Sequence, residues 1–280
     1  MTAPGTSIPV IPSDRPPTRP ARLVDDFTPP LILPGEHHFC PGCGEPAAMR
    51  SATEIIDELG LTSRAICVIG IGCYTGFAGS MDIELMQALH GRAPSLATGV
   101  KRAKPDTIVF SVQGDGDMVN EGLQEIIHAA ARGELFTAIL LNNGVFGETG
   151  GHMTATTVLG QRTKNTLEGR DAVAHGYPIL IADLLARVQG SAYVARGATN
   201  SAGNVARTRR MMKRAFELQA AGAGFTFVEV LTMCPTGWFI ETDEAADYLD
   251  DKLATVHTIG VLKDVGTERP AAEGAHEPEA

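Results

Sequence analysis

The chain has 280 residues, 44% hydrophobic and 20% charged, an ordinary globular composition. A formal charge of -10 argues against a nucleic-acid partner, since phosphate-backbone binding needs a basic surface. Residues 1–22 lack the apolar core of a secretory signal and no apolar run reaches the ~18 residues of a membrane span, so a cytoplasmic, non-membrane protein is expected. Five cysteines in a chain this long do not make a disulfide framework, and in a reducing compartment clustered cysteines point to metal or catalysis.

Residues 1–34 are proline-rich and read as an extended arm, disordered or laid over a partner chain. A helix is predicted over 46–59 and a buried strand over 65–69. Strands follow at 107–112 and 137–141, with a helix over 120–132 between them. Helix 178–189, a weaker strand 192–195, helix 204–221 and strand 225–231 complete the pattern. Residues 263–280, rich in Glu, Ala and Pro from about Gly266, read as a disordered tail. Alternating helices and apolar strands predict an α/β fold, one domain over 35–262, with a parallel sheet and helices on both faces. Ligands of such sheets bind beyond the carboxyl ends of the strands. The polar motifs of this chain follow its strands directly.

The strand at 107–112 runs into Gln113-Gly114-Asp115-Gly116-Asp117, and the next strand ends at Asn142-Asn143. Glycines after a strand let the backbone approach a phosphate, and a following helix start offers free N–H groups. Asp115 and Asn143 would add hard oxygen ligands suited to Mg2+. A lone Gly-Asp-Gly is weak, but its spacing to Asn-Asn across strand, helix and strand resembles the thiamine-diphosphate motif. That resemblance implies Mg2+ on Asp115, Asn143 and the backbone of Val145.

Cys40-Pro-Gly-Cys43-Gly44 is a tight turn that could aim two sulfurs at one metal. Cys73 in Gly-Ile-Gly-Cys follows the first strand, and Cys234 in Cys-Pro-Thr-Gly-Trp follows the last. Four thiolates at that edge suit zinc or a [4Fe-4S] cluster alike. A thiamine site on the same edge favours the cluster, because zinc has no redox chemistry with which to take electrons. Cys67 lies inside a strand and reads as a small buried hydrophobe.

These elements, with Leu89–Ala93, Ala97–Lys101 and the run Asn142–Met153, resemble the thiamine-diphosphate-binding beta subunit of 2-oxoacid:ferredoxin oxidoreductases over about residues 36–240. The resemblance implies a [4Fe-4S] cluster on Cys40, Cys43, Cys73 and Cys234. It also implies thiamine-diphosphate contacts at Gly72, Cys73, His90, Gly114, Gly116, Asp117, Gly147 and Thr149. The implied reaction is oxidative decarboxylation of a 2-oxoacid to acyl-coenzyme A, with electrons passed through the cluster to ferredoxin. A companion alpha subunit, with further gamma or delta subunits, is implied too. Thiamine enzymes need a Glu against the aminopyrimidine ring, and no Glu here stands in a matching context. No catalytic residue is assigned in this chain beyond His90 as a candidate.

Two other readings remain: a non-redox thiamine carboligase, which would not need four cysteines, and a zinc-stabilised scaffold subunit. His37 and His38 read as solvated, and His128 as a core residue on the apolar face of its helix. Arg207, Arg209, Arg210, Lys213 and Arg214 read as a solvated face, with an acidic patch on another subunit as the alternative. Some relatives carry Lys-Gly-Gln where this chain has Gly150-Gly151-His152. Loss of that cation ranks branched-chain 2-oxoacids such as 2-oxoisovalerate ahead of 2-oxoglutarate or pyruvate, although a protonated His152 could restore the charge.

Overall fold

The computed structural model describes residues 38–266; the expected arm, His37 and the tail beyond Gly266 lie outside the described residues. The apolar runs form a central sheet in the order β2-β1-β3-β4-β8-β7-β9. Its strands are β1 (Ala65–Ile69), β2 (Glu84–Gln87), β3 (Ile108–Gly114), β4 (Thr137–Asn142), β7 (Ser191–Ala198), β8 (Phe225–Leu231) and β9 (Gly260–Asp264). Strands β5 (Val145–Phe146) and β6 (His152–Met153) pair separately as a small antiparallel hairpin. All pairings in the main sheet are parallel except β7 with β9. The inner strands β1, β4, β7 and β8 are buried at every position, as apolar runs covered on both faces must be. The register pairs Gly114 with Leu141 and Asn142 with Leu231, so β3, β4 and β8 end together at one edge.

Helices α1 (Glu45–Glu58) and α6 (Ala202–Ala220) cover one face, where Phe110 meets Phe216 edge-on at 5.6 Å. Helices α2 (Ala93–Ala103), α3 (Leu123–Ala131) and α5 (Ile181–Arg187) cover the other, over Phe136 and Phe225. Each such aromatic withdrawn from water contributes about 1.5–3 kcal/mol. The one-turn helices α4 (Ala172–His175) and α7 (Pro235–Trp238) lie in the loops. A smaller cluster of Val145, Leu231, Trp238 and Leu249 packs beneath the hairpin. Among the described residues no helix is long and apolar enough to cross a membrane.

The expected helices differ from these in instructive places. The one expected from residue 120 is preceded by a separate π-helical turn, Gly116–Glu121. The two are separated at Gly122, which abuts Gly91 so closely that a Cβ would stand 2.4 Å from its carbonyl oxygen. Helix α5 starts at Ile181 rather than 178, because the Ile179 N–H bonds to Ala155 in a neighbouring loop at 2.8 Å. His128 is exposed, which corrects the core assignment: α3 buries Ile126, Ala129 and Ala130, and position 128 turns away from them. Strand β9 runs to Asp264, two residues past the expected domain end. The basic run on α6 finds acids within this chain. Arg209 pairs with Glu54 and Glu58, Lys213 with Glu58, and Arg214 with Asp264.

Candidate cofactor and metal site

At the carboxyl edge, β3 delivers Asp115 into a fully buried position. Thr154 and Thr156 each donate a hydroxyl to its Oδ2 at 2.6 Å. Burial pushes the Asp115 carboxyl up to about 6, while the two hydroxyls pull in the opposite direction. On the next strand end, Asn142 Oδ1 accepts the Gly144 N–H and Asn143 Oδ1 accepts the Val145 N–H, both at 3.0 Å. Gly144 adopts φ 71°, a turn a side chain would resist. Trp238 Nε1 donates to the Asn143 carbonyl at 2.7 Å, tying α7 to this turn. A cavity of about 80 Å³ is lined by Asp115, Asn143 and Val145 together with Gly72, Cys73, His90, Gly114, Gly116, Gly147 and Thr149. Asp117 is absent from its lining. The Asp117 carboxylate is buried as a clamp, accepting from Tyr74 at 2.6 Å, Gly91 N–H at 2.5 Å and Gln113 at 3.0 Å. It thereby fixes the ends of β1 and β3 and the turn before α2.

Cys40, Cys43, Cys73 and Cys234 line one cavity of about 390 Å³. The first two share a turn closed by the Cys43 N–H to the Cys40 carbonyl at 3.1 Å. Gly44 N–H bonds to Met233, joining that turn to the end of β8. Cys73 opens the 3₁₀ turn Cys73–Ser80 after β1, and Cys234 caps α7. A Cβ on Gly147 would fall 3.3 Å from Cys73 Sγ and 3.6 Å from Cys234 Sγ, so glycine there keeps the space between the sulfurs clear. Cys67 is fully buried inside β1, away from the cavity. Burial, reinforced by Glu45, raises the Cys43 and Cys73 thiols far above their ordinary range and Cys234 to about 12. In the metal-free chain these three sulfurs therefore carry protons at neutral pH, and a positive metal centre bound there would displace them.

The two cavities share a wall of Glu45, Ile71, Gly72, Cys73, Gly147 and Glu148. Glu45 is 3% exposed; its Oε1 accepts from Asn143 Nδ2 at 3.4 Å and its Oε2 has no partner. Burial, with Asp115 and Glu148 nearby, pushes its carboxyl up to about 8. Sequence reasoning passed over Glu45, and its one signal was its place directly after the Cys-Pro-Gly-Cys-Gly turn. Glu148 was likewise not singled out. His90 stands half-exposed at the rim, with Nδ1 3.3 Å from Asp117. His152 Nδ1 meets Thr149 Oγ1 at 3.1 Å. Lys164 Nζ lies 3.3 Å from where a Cβ on Gly150 would be, so an amine from another turn reaches this loop.

A hard-oxygen turn at the strand ends of a parallel sheet, sharing a wall with four convergent thiols, defines a cofactor-binding α/β protein. Residues 70–230 match the family model of the thiamine pyrophosphate enzyme, C-terminal TPP binding domain. The ketoisovalerate oxidoreductase subunit VorA of Methanothermobacter thermautotrophicus is 37% identical over 235 residues, 84% of this chain and 49% of that protein. The chain thus spans about half the length of that relative. The 2-oxoglutarate synthase subunit KorB of Archaeoglobus fulgidus is 33% identical over 213 residues, 76% of this chain and 75% of that one. The fold is similar to that of a chain in the 2-oxoglutarate:ferredoxin oxidoreductase from Magnetococcus marinus, with a TM-score of 0.72 and 24% identity, covering 88% of this chain and 87% of that one. The protein belongs to the thiamine pyrophosphate enzymes, among the thiamine-binding beta subunits of the 2-oxoacid:ferredoxin oxidoreductases.

Proposed function

We propose that this chain holds thiamine diphosphate, Mg2+ and a [4Fe-4S] cluster for the oxidative decarboxylation of a 2-oxoacid. The observation that carries this reading is the shared wall between the thiol cavity and the Asp115–Asn143 cavity. When bound, thiamine supplies the electron sink for decarboxylation and the cluster a one-electron acceptor. Asp115, Asn143 and the Val145 carbonyl would hold the metal, and Cys40, Cys43, Cys73 and Cys234 the cluster. The donor sets fit: hard oxygens at one cavity, four sulfurs at the other, and an unpartnered buried carboxylate oxygen between them. Asp115 brings charge to offset the metal, and Glu45 keeps the Asn143 amide nitrogen turned toward itself. Gly147 leaves the space between Cys73 and Cys234 open.

Ligand pockets for molecules of drug size run to about 300–1,000 Å³, well above the 80 Å³ beside Asp115. That volume suits the metal–diphosphate end, so the rest of the cofactor is covered by a companion alpha subunit, which also brings the aminopyrimidine Glu. Coenzyme A, ferredoxin and further gamma or delta subunits complete the cytoplasmic assembly. Gly150-Gly151 and the ketoisovalerate relative favour 2-oxoisovalerate as substrate. Lys164, whose amine reaches the Gly150 loop, is with His152 a candidate partner for a second carboxylate. The test is reconstitution. The chain alone should reduce no ferredoxin with any 2-oxoacid and coenzyme A, and the assembled complex should show its highest kcat/KM with 2-oxoisovalerate. Lys164→Met should lower kcat/KM for 2-oxoglutarate and spare 2-oxoisovalerate. Full turnover by the isolated chain, or a preference of more than about tenfold for 2-oxoglutarate, contradicts this assignment.

A further inference from the structure

Beneath the metal turn runs a buried polar network that none of the foregoing roles employs. Glu229 sits mid-strand in β8 and Arg196 directly opposite it in β7, both essentially without exposure. Arg196 Nε donates to Glu229 Oε2 at 2.7 Å. The guanidinium also donates to Asp183 at 2.8 Å and to the Thr258 carbonyl at 3.1 Å. Glu229 Oε1 accepts from Asn142 Nδ2 at 2.7 Å, which turns Asn142 Oδ1 toward the Gly144 N–H and the Thr156 hydroxyl. That hydroxyl has a single proton, and the shorter contact, to Asp115 Oδ2 at 2.6 Å against 3.1 Å to Asn142 Oδ1, takes it. His257, fully buried, meets the Thr156 carbonyl at 3.0 Å from beyond the family-matched region.

We propose that Glu229, held in place by Arg196, is a positioning residue for the metal turn: through Asn142 it fixes the Gly144 bend that presents Asn143 and Val145. The chain of hydrogen bonds is unbroken from the ion pair through Asn142 to the Gly144 bend. A fold-only role is a poor account of it. Two well-packed apolar side chains often fill such a space as stably as a buried ion pair. What they cannot do is accept the Asn142 amide. Metal sites depend on groups that orient their ligands in this way.

This inference rests on the thiamine–magnesium reading of the site, and the experiment separates the two. Calorimetry measures thiamine diphosphate and Mg2+ binding to the full chain, alongside its melting temperature. Arg196→Met with Glu229→Gln keeps an oxygen for Asn142 without buried charge, and should bind within threefold of the parent. Arg196→Met with Glu229→Leu removes that oxygen and should bind at least tenfold more weakly while melting no lower than the first pair. Parent-like affinity in the leucine pair, or equal weakness in both pairs, overturns the positioning role. Should the pairs fail to fold, Asn142→Ala leaves the ion pair intact, removes the link from Glu229 to the Gly144 N–H and should weaken Mg2+ binding about fivefold; unchanged affinity there overturns it too. Absence of binding in the parent chain, with the companion alpha subunit present, would count against the cofactor reading itself.

Discussion

Burial and hydrogen bonding act against each other at Asp115. Desolvation raises its carboxyl to about 6, and the hydroxyls of Thr154 and Thr156 offset part of that cost. The folded-state value lies above the ordinary ~3.9, so the folded chain binds the extra proton between about pH 4 and about pH 6. Stability therefore falls as pH rises through that window, and at neutral pH the metal-free fold carries the full cost. A cation relieves it by favouring the ionised form. Asp115→Ala should consequently leave the fold intact at neutral pH, because a desolvated carboxylate is removed along with its bonds. The same change should abolish thiamine-diphosphate binding, since the charged metal ligand is gone. Parent-level cofactor affinity in this variant, measured by calorimetry, would show that the metal sits elsewhere.

The strand ends and the turns that follow them do the assembling. Cys43 is placed by a turn bonded to the end of β8, Cys73 by the chain leaving β1, and Cys234 by the cap of α7, whereas Cys67 is one of five consecutive buried residues in β1. Cys43→Ser should lose bound iron and visible absorbance, and Cys67→Ser should keep both; the reverse pattern would exchange the assignments. This much was legible in sequence, because glycine, cysteine or a short polar residue directly after an apolar run marks a strand end. Strand β2 was not legible: Glu-Leu-Met-Gln is an exposed edge with no apolar alternation. Helix α2 was legible but passed over: Ala93, Leu96, Ala97 and Val100 recur at helical spacing on its buried face. Glu229 stood out only as one acid in an apolar strand. Its partners Asn142 and Arg196 lie 87 and 33 residues away in sequence, and only the sheet register brings them together. Glu45 was missed for the same reason, since Asn143 stands 98 residues further along the chain.

For the molecule as a whole, the parallel sheet explains why residues after β1, β3, β4 and β8 meet at one edge, where the Cys40–Cys43 turn joins them through the Gly44 bond to Met233. The formal charge of -10 reads as simple solubility. The three readings left open by ligand counting also part company at this scale. A carboligase needs magnesium without iron, a scaffold needs zinc, and an electron-passing subunit needs iron beside magnesium and thiamine diphosphate. Metal and cofactor analysis of the anaerobically purified full chain is thus the most direct measurement. The account predicts about four iron atoms with about one magnesium and one thiamine diphosphate per chain. A single zinc in place of the iron, or magnesium and thiamine diphosphate with no iron at all, would contradict it.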